Sequence, residues 1–200
     1  MDWSQSTSSL SVGAGDALLI ADIQYDFLPG GALGVVGGDE IIPVLLRYIK
    51  HFESRGLLTI ATRDWHPPDH CSFQERGGIW PVHCVAGSSG AEPPVGFLLP
   101  PNTLIIHKAT ASDKEVYSAF ENTMLDTELR LRTVRRIFVG GLATDYCVLN
   151  TVKDALRLGY AAVLLVDGIR AVNVRPNDGR AAEEEMIRLG AIPFHLKDLA

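Results

Sequence analysis

Short apolar runs recur along this chain, and each run is continuous rather than alternating with polar residues. A short continuous apolar run predicts a strand that is covered on both faces, as in a parallel sheet. Between the runs lie segments with helical spacing, each followed by a glycine that suits a helix C-cap. This alternation predicts an α/β fold of three layers, in which helices cover both faces of an open, mostly parallel, six-stranded sheet. The predicted strands are 17–21, 57–61, 103–106, 137–139, 162–166 and 191–195, and the predicted helices are 41–52, 148–158 and 178–189.

The chain divides into a lead-in and one domain. Residues 1–15 are rich in serine and glycine, which predicts a flexible segment, whereas residues 16–200 are predicted to form a single domain. Within that domain, residues 63–102 form a long proline-rich loop after the second predicted strand. So long a loop is usually functional or disordered, and its histidines and tryptophans favour a function. Ligands of open α/β sheets bind at the carboxyl ends of the strands, which is where this loop begins.

Charge and cysteine content narrow the class of protein. The formal net charge is -6 and basic residues do not cluster, which argues against nucleic acid as a partner. No apolar stretch is long enough to span a bilayer, and the first residues lack the positive region of a signal peptide, so we expect neither membrane association nor secretion. Three cysteines, an odd number, predict reduced thiols and a cytoplasmic location.

Three side chains suited to catalysis follow predicted strands. Asp22 and Lys108 come at the carboxyl ends of the first and third apolar runs, and Cys147 follows the fourth. Two glycines precede Cys147 and Thr144 can cap a helix there, so the thiol would lie near a helix N-terminus, which favours the thiolate. If their strands are neighbours, the three side chains form a base, a cation and a nucleophile. The alternatives are a turn-capping aspartate, a surface lysine and a buried, inert cysteine.

The long loop carries a second group of side chains. Asp64 and His66 are two residues apart, so in an extended segment both point to the same side. A carboxylate with imidazoles suits Zn²⁺, Fe²⁺ or Mn²⁺, and His70 and His83 add further nitrogen donors. The alternative is that these histidines are simply exposed. The remaining histidines have no other candidate metal ligands close to them in the sequence. We predict that they are structural or lie on the surface: His51, His107 and His195.

These motifs, in this order, resemble those of the isochorismatase-like cysteine hydrolase superfamily and, within it, the nicotinamidases. The resemblance covers essentially the whole chain after residue 15, and it implies an isochorismatase-like, Rossmann-like fold. The segments that carry it are Ala21-Asp22-Ile23-Gln24-Tyr25-Asp26-Phe27, Asp64-Trp65-His66-Pro67, Trp80-Pro81-Val82-His83-Cys84, Lys108 and Gly141-Leu142-Ala143-Thr144-Asp145-Tyr146-Cys147-Val148.

The resemblance also implies roles for particular residues. The catalytic triad would be Asp22, Lys108 and Cys147, and the backbone N–H groups of Ala143 and Cys147 would form the oxyanion hole. The metal ligands would be Asp64, His66 and His83, with the fourth position taken by His70 or by water, because the interval from His66 to His70 is shorter than in relatives. The substrate ring would contact Phe27, Trp80, Leu142 and Tyr146. A cis peptide bond is implied between Leu142 and Ala143.

The activity implied by the resemblance is hydrolysis of nicotinamide to nicotinate and ammonia through a cysteine thioester, in NAD salvage. One divalent ion, first of all Zn²⁺, would be the cofactor, and pyrazinamide would be an alternative substrate. Rival functions are an amidase for carbamoyl or ureido compounds, an isochorismatase, and a metal-dependent binding protein without turnover. The sequence leaves the oligomeric state open, and a homo-oligomer is compatible with it.

Overall fold

A six-stranded parallel sheet forms the centre of the molecule, as the apolar runs predict. The structure is a computed structural model, and it describes residues 10–199. All the neighbouring strands pair in parallel, in the order β3-β2-β1-β4-β5-β6. The strands are β1 (Asp16–Ala21), β2 (Leu58–Asp64), β3 (Leu104–Lys108), β4 (Arg136–Leu142), β5 (Ala161–Arg170) and β6 (Ile192–Phe194).

Helices cover both faces of this sheet. On one face, α1 buries Leu45, Tyr48 and Phe52 against apolar side chains of the strands. The other three helices pack on the opposite face. The prediction of a three-layer fold is therefore confirmed. The helices are α1 (Ile42–Glu53), α2 (Leu125–Leu131), α3 (Leu149–Arg157) and α4 (Asp178–Arg188).

Helix α2 was not predicted from the sequence. It has only seven residues, and it buries two of them, Leu125 and Leu129. Asp126, Thr127 and Glu128 separate these leucines, so the apolar repeat is too short to stand out. Its position is decided by packing against the sheet rather than by local sequence.

The lead-in is partly attached to the domain. Leu10 and Val12 pack against the core on the α1 face, and the carbonyl of Ser11 accepts a hydrogen bond of 2.8 Å from Arg136. Arg136 also holds Asp16 at the start of β1. Residues 10–15 are therefore anchored, which differs from the flexible segment predicted there. Residues 1–9, the rest of that predicted segment, lie outside the described residues.

The long loop runs along the carboxyl edge of the sheet. Its first two predicted residues, Arg63 and Asp64, still belong to β2, and the chain then continues without a long helix or strand as far as β3. Two short 3-10 turns, Gln74–Arg76 and Ser89–Ala91, interrupt it. No helix in the described part of the chain is long and apolar enough to cross a membrane.

Candidate active site

Asp22, Lys108 and Cys147 meet at the carboxyl edge of the sheet. The Nζ atom of Lys108 lies 3.1 Å from Oδ2 of Asp22 and 3.3 Å from Sγ of Cys147. All three residues are buried, and Asp22 has no measurable exposure. A carboxylate, an ammonium group and a thiol are thus brought together.

The strands that carry these groups are not all neighbours. Strand β2 lies between β1 and β3, so Lys108 reaches across the end of β2 to contact Asp22. The side chain that β2 contributes at this point is Asp64, whose Oδ1 accepts a hydrogen bond from Lys108. Lys108 is therefore enclosed by two carboxylates and the thiol.

The turn that carries Cys147 differs from the predicted helix cap. Thr144 does not cap a helix; it begins a π-helical turn, Thr144–Val148, which precedes α3. The peptide bond between Leu142 and Ala143 is cis, as the resemblance implies. Gly141 has φ +112°, and a Cβ atom there would lie 2.1 Å from the carbonyl oxygen of Ala21, so only glycine fits beside β1.

Burial and neighbouring charges act in opposite directions on the pKa values of the cluster. Burial raises the pKa of Cys147 well above its usual value, although Lys108 acts in the opposite direction. Burial thus opposes the thiolate that the helix start predicts. Burial also raises the pKa of Asp22, again against the effect of Lys108. Burial acts to lower the pKa of Lys108, but Asp22 and Asp64 outweigh it and raise that pKa, so the ammonium group stays charged.

Asp64, His66 and His83 form a group that fits a divalent metal ion. One potential ligand atom from each lies within 4.8 Å of the others, and all three residues are buried. The Nδ1 atoms of His66 and His83 lie 3.3 and 2.8 Å from the backbone carbonyls of Ala109 and Pro81. Such contacts orient imidazoles so that Nε2 faces a metal. Nε2 of His66 is buried without a hydrogen-bond partner, which is the state expected of an unused ligand atom.

His70 lies beside this group but is engaged elsewhere. Its ring centroid is 4.2 Å from that of His66. However, its Nδ1 lies 2.7 Å from the hydroxyl oxygen of Ser72, and its Nε2 lies 3.1 Å from the carbonyl oxygen of Lys114. Both ring nitrogens of His70 therefore already have hydrogen-bond partners.

An aromatic cleft opens above Cys147 and the candidate metal site. It encloses about 410 Å³ of empty space, including open solvent, and its walls include Phe27, Trp80 and Tyr146. These are three of the four residues predicted to contact a substrate ring. The fourth, Leu142, is fully buried in the core on the α1 face and does not line the cleft. Ala143 and Cys147, the predicted oxyanion donors, both line it.

Several residues of the site were not assigned a role from the sequence. Gln24 is fully buried, and its side-chain amide accepts a hydrogen bond from the backbone N–H of Asp64 and donates one to the carbonyl of Asp64, each 2.9 Å long. Its position inside the motif after β1 was a signal that could have revealed it. Glu115 and Tyr117 also line the cleft, and they come from an irregular segment that carries no periodic pattern.

The other histidines lie outside the cleft, as predicted. His107 stacks on Trp65 with 4.4 Å between ring centroids, and His51 contacts Arg55. His195 lies near Asp198 at the end of the chain.

The fold and the site together define a parallel α/β protein with a buried Asp22, Lys108 and Cys147 cluster beside a candidate metal site. The family profile described as "Isochorismatase domain" matches residues 16–194, and this chain belongs to the isochorismatase family. The nicotinamidase of Escherichia coli is 40% identical to it over 205 residues, covering 91% of this chain and 95% of the relative.

Solved structures agree with this assignment. Pyrazinamidase of Pyrococcus horikoshii in complex with zinc has a TM-score of 0.87 and 47% identity, covering 91% of this chain and 99% of that one. PnC1 from L. infantum in complex with nicotinate has a TM-score of 0.85 and 36% identity, covering 96% of this chain and 99% of that one.

Proposed function

We propose that this chain hydrolyses nicotinamide to nicotinate and ammonia, with a thioester on Cys147 as the intermediate. The observation that carries the proposal is the buried ammonium group of Lys108, in contact with both Asp22 and the Cys147 sulfur at the base of an aromatic cleft. Relatives named as nicotinamidases support the choice of substrate, and a family structure in complex with nicotinate supports binding of the pyridine ring.

The first half of the reaction forms the thioester. Asp22 accepts the proton of the Cys147 thiol while the sulfur attacks the carboxamide carbon. Lys108 stabilises the negative charge on sulfur during this transfer. The carbonyl electron pair moves to oxygen, which faces the backbone N–H groups of Ala143 and Cys147. One such donor typically contributes about 2.7 to 4 kcal/mol to transition-state stabilisation.

The second half restores the enzyme. Asp22 returns its proton to the amide nitrogen as the C–N bond breaks, and ammonia leaves. Water then attacks the thioester carbon and gives a proton to Asp22. As the C–S bond breaks, Asp22 passes that proton to the Cys147 sulfur, and the product leaves as nicotinic acid, which loses its proton to solvent and becomes nicotinate. Phe27, Trp80 and Tyr146 hold the pyridine ring throughout, so that the carboxamide stays next to the sulfur.

The metal site has a positioning role in this proposal. Asp64, His66 and His83 would hold the ion, without His70. The ion would supply a Lewis acid for the ring nitrogen of the substrate. Burial lowers the pKa of His83, so its imidazole is neutral and able to act as a ligand. We propose Zn²⁺, which the Pyrococcus horikoshii structure contains, while Fe²⁺ and Mn²⁺ accept the same ligands.

Residues 16–200 form one hydrolase domain in this proposal. The cytoplasm is its proposed location because Cys71, Cys84 and Cys147 are free thiols. In that compartment its product, nicotinate, would enter NAD salvage.

Ammonia release from nicotinamide tests the proposal. Zinc-loaded protein is expected to release ammonia, and chelator-stripped protein is expected to release less at the same substrate concentration. Cys147→Ala is expected to lower the rate by about a thousandfold or more, because the nucleophile is lost. Cys71→Ala, at a half-buried free thiol outside the cleft, is the matched control and is expected to keep the activity.

Two outcomes would contradict the proposal. Turnover by Cys147→Ala would exclude a thioester on that residue. No release from zinc-loaded wild-type protein would exclude nicotinamide as the substrate, and assays with ureido compounds and isochorismate would then separate the rival enzymes from a binding protein without turnover.

A further inference from the structure

Three aromatic rings, those of Trp80, Tyr117 and Tyr146, form one wall of the cleft. Two of them, Trp80 and Tyr117, donate hydrogen bonds to the carboxylate of Glu115. The indole Nε1 of Trp80 donates hydrogen bonds to the hydroxyl oxygen of Tyr117 at 3.0 Å and to Oε1 of Glu115 at 3.2 Å. The hydroxyl of Tyr117 in turn donates to the same oxygen of Glu115. Tyr146 packs against both rings, with centroids 5.0 Å from Trp80 and 5.2 Å from Tyr117. All four residues line the cleft.

Trp80 is held at two ends by different parts of the chain. Its backbone N–H donates to the carbonyl of Ser72, and its carbonyl accepts from Gln74, so the loop fixes the start of the side chain. The far end of the indole is fixed by Glu115 and Tyr117, which are 35 and 37 residues away in sequence. Without the second attachment, the ring could rotate about its side-chain torsions.

The carboxylate sets the direction of these hydrogen bonds. A charged acceptor binds donors more strongly than a neutral one. Burial and the hydrogen bond to Glu115 raise the pKa of Tyr117, so its hydroxyl keeps the proton that it donates. The oxygen of Tyr117 is then available to accept from Trp80. The indole N–H of Trp80, the hydroxyl of Tyr117 and the carboxylate of Glu115 are thus paired with one another, and their residues line the cleft.

We propose that Glu115 is a positioning residue for the substrate: it fixes the Trp80 and Tyr117 rings in the orientation that packs against the pyridine ring. This inference rests on the proposed function for the identity of the ring. Glu115 itself is exposed, so its replacement removes the carboxylate to which both rings donate without opening the hydrophobic core.

Kinetics of three variants test the role in substrate binding. In zinc-loaded Glu115→Ala, KM for nicotinamide is expected to rise at least about fivefold while kcat stays within about twofold, because ring binding is weakened in the ground state and transition state alike. Glu115→Gln keeps an acceptor oxygen and is expected to fall between this variant and the wild type. Glu121→Ala is the matched control, since Glu121 is exposed, pairs with Lys114 and lies outside the cleft.

The kinetic result that would overturn the inference is a KM for Glu115→Ala within about twofold of the wild-type value. An equal rise in Glu121→Ala would also overturn it, because the effect would then follow from net charge.

Near-ultraviolet circular dichroism tests the wall without turnover. The band of Trp80 is identified as the signal lost in Trp80→Phe, and Glu115→Ala is expected to lose most of that band while Glu121→Ala keeps it. If wild-type protein releases no ammonia from nicotinamide, the proposed function fails. Loss of the band in Glu115→Ala would then still support a wall held by Glu115, whereas an unchanged band would refute it.

Discussion

Replacing Lys108 with methionine would remove the ammonium group that lies between two buried carboxylates. Its Nζ atom is 3.1 Å from Asp22 and is also hydrogen-bonded to Asp64, and the side chain is fully buried. Methionine preserves the apolar stem of the side chain, so the change removes a charge and leaves little empty space. The variant therefore measures the electrostatic contribution of Lys108 to stability.

The expected loss of stability follows from this geometry. At 3.1 Å and an effective dielectric constant of about 20, the attraction between Lys108 and Asp22 is about 5 kcal/mol before desolvation is counted. Removing one partner of a buried ion pair typically costs about 3 to 5 kcal/mol, because the remaining charge stays buried and unpaired. We expect Lys108→Met to lower the free energy of unfolding by about 3 to 5 kcal/mol near pH 7.

The stability lost in Lys108→Met should be larger near pH 7 than in acid. Burial acts to raise the pKa of Asp64, but Lys108 outweighs it and holds that pKa below its usual range. Asp64 therefore stabilises the wild-type fold above its unfolded pKa, and this contribution is lost as pH falls through the folded pKa. In Lys108→Met, burial would raise the pKa of both Asp22 and Asp64. In the variant, these two carboxyl groups contribute stability at low pH that is lost as pH rises. The difference in free energy of unfolding between the two proteins therefore narrows toward about pH 4.

Urea unfolding followed by tryptophan fluorescence measures both effects. Wild type and Lys108→Met are compared without metal near pH 7 and at about pH 4.5. Lys153→Met, at an exposed position of α3, is the matched control and should lie within about 0.5 kcal/mol of the wild type. A loss below about 1 kcal/mol for Lys108→Met near pH 7, or a gap that widens in acid, would refute the reasoning.

Two further predictions concern the metal site and the core. His66→Ala is expected to lower zinc affinity at least about a hundredfold and His70→Ala less than about tenfold, because Nε2 of His66 is buried without a hydrogen-bond partner, whereas both ring nitrogens of His70 have partners. Titration of the stripped proteins with zinc measures both affinities, and equal losses would show that His70 is a ligand. Phe138→Ala, whose fully buried ring packs against Phe52 and Phe194, is expected to lower the free energy of unfolding by about 3 to 5 kcal/mol. Urea unfolding measures this change, and a loss below about 1 kcal/mol would contradict it.

The sheet was predictable because its strands are covered on both faces. Such strands must be apolar at successive positions, so each one appears in the sequence as a continuous run. Each of the three predicted helices is followed within a few residues by a glycine with positive φ, as is common after helix C-termini: Gly56, Gly159 and Gly190. Helix α2 has neither a long apolar repeat nor a glycine after it, and it was missed.

The site was predictable only where chemistry coincides with a strand end. Asp22, Asp64 and Lys108 each end or follow a strand, and the sheet brings them together. The π-helical turn before α3 has no comparable sequence signal, so the sequence predicts a helix N-cap at Thr144 instead. The pKa of Cys147 was also predicted in the wrong direction, because the sequence suggests a helix terminus but does not reveal how deeply the thiol is buried.

Gln24 explains how the end of β2 stays hydrogen-bonded at the carboxyl edge of the sheet although β1 has already ended. Strand β1 ends at Ala21, whereas β2 continues to Asp64, so the last residue of β2 has no neighbour in β1. The side-chain amide of Gln24 takes that place and pairs with the N–H and C=O of Asp64 as a strand would. The main chain of β1 is thereby released to turn away, and Asp22 can direct its carboxylate at Lys108. The side chain of Gln24 thus replaces one backbone hydrogen-bonding position of β1, which leaves space at the strand end for the cluster of Asp22, Lys108 and Cys147.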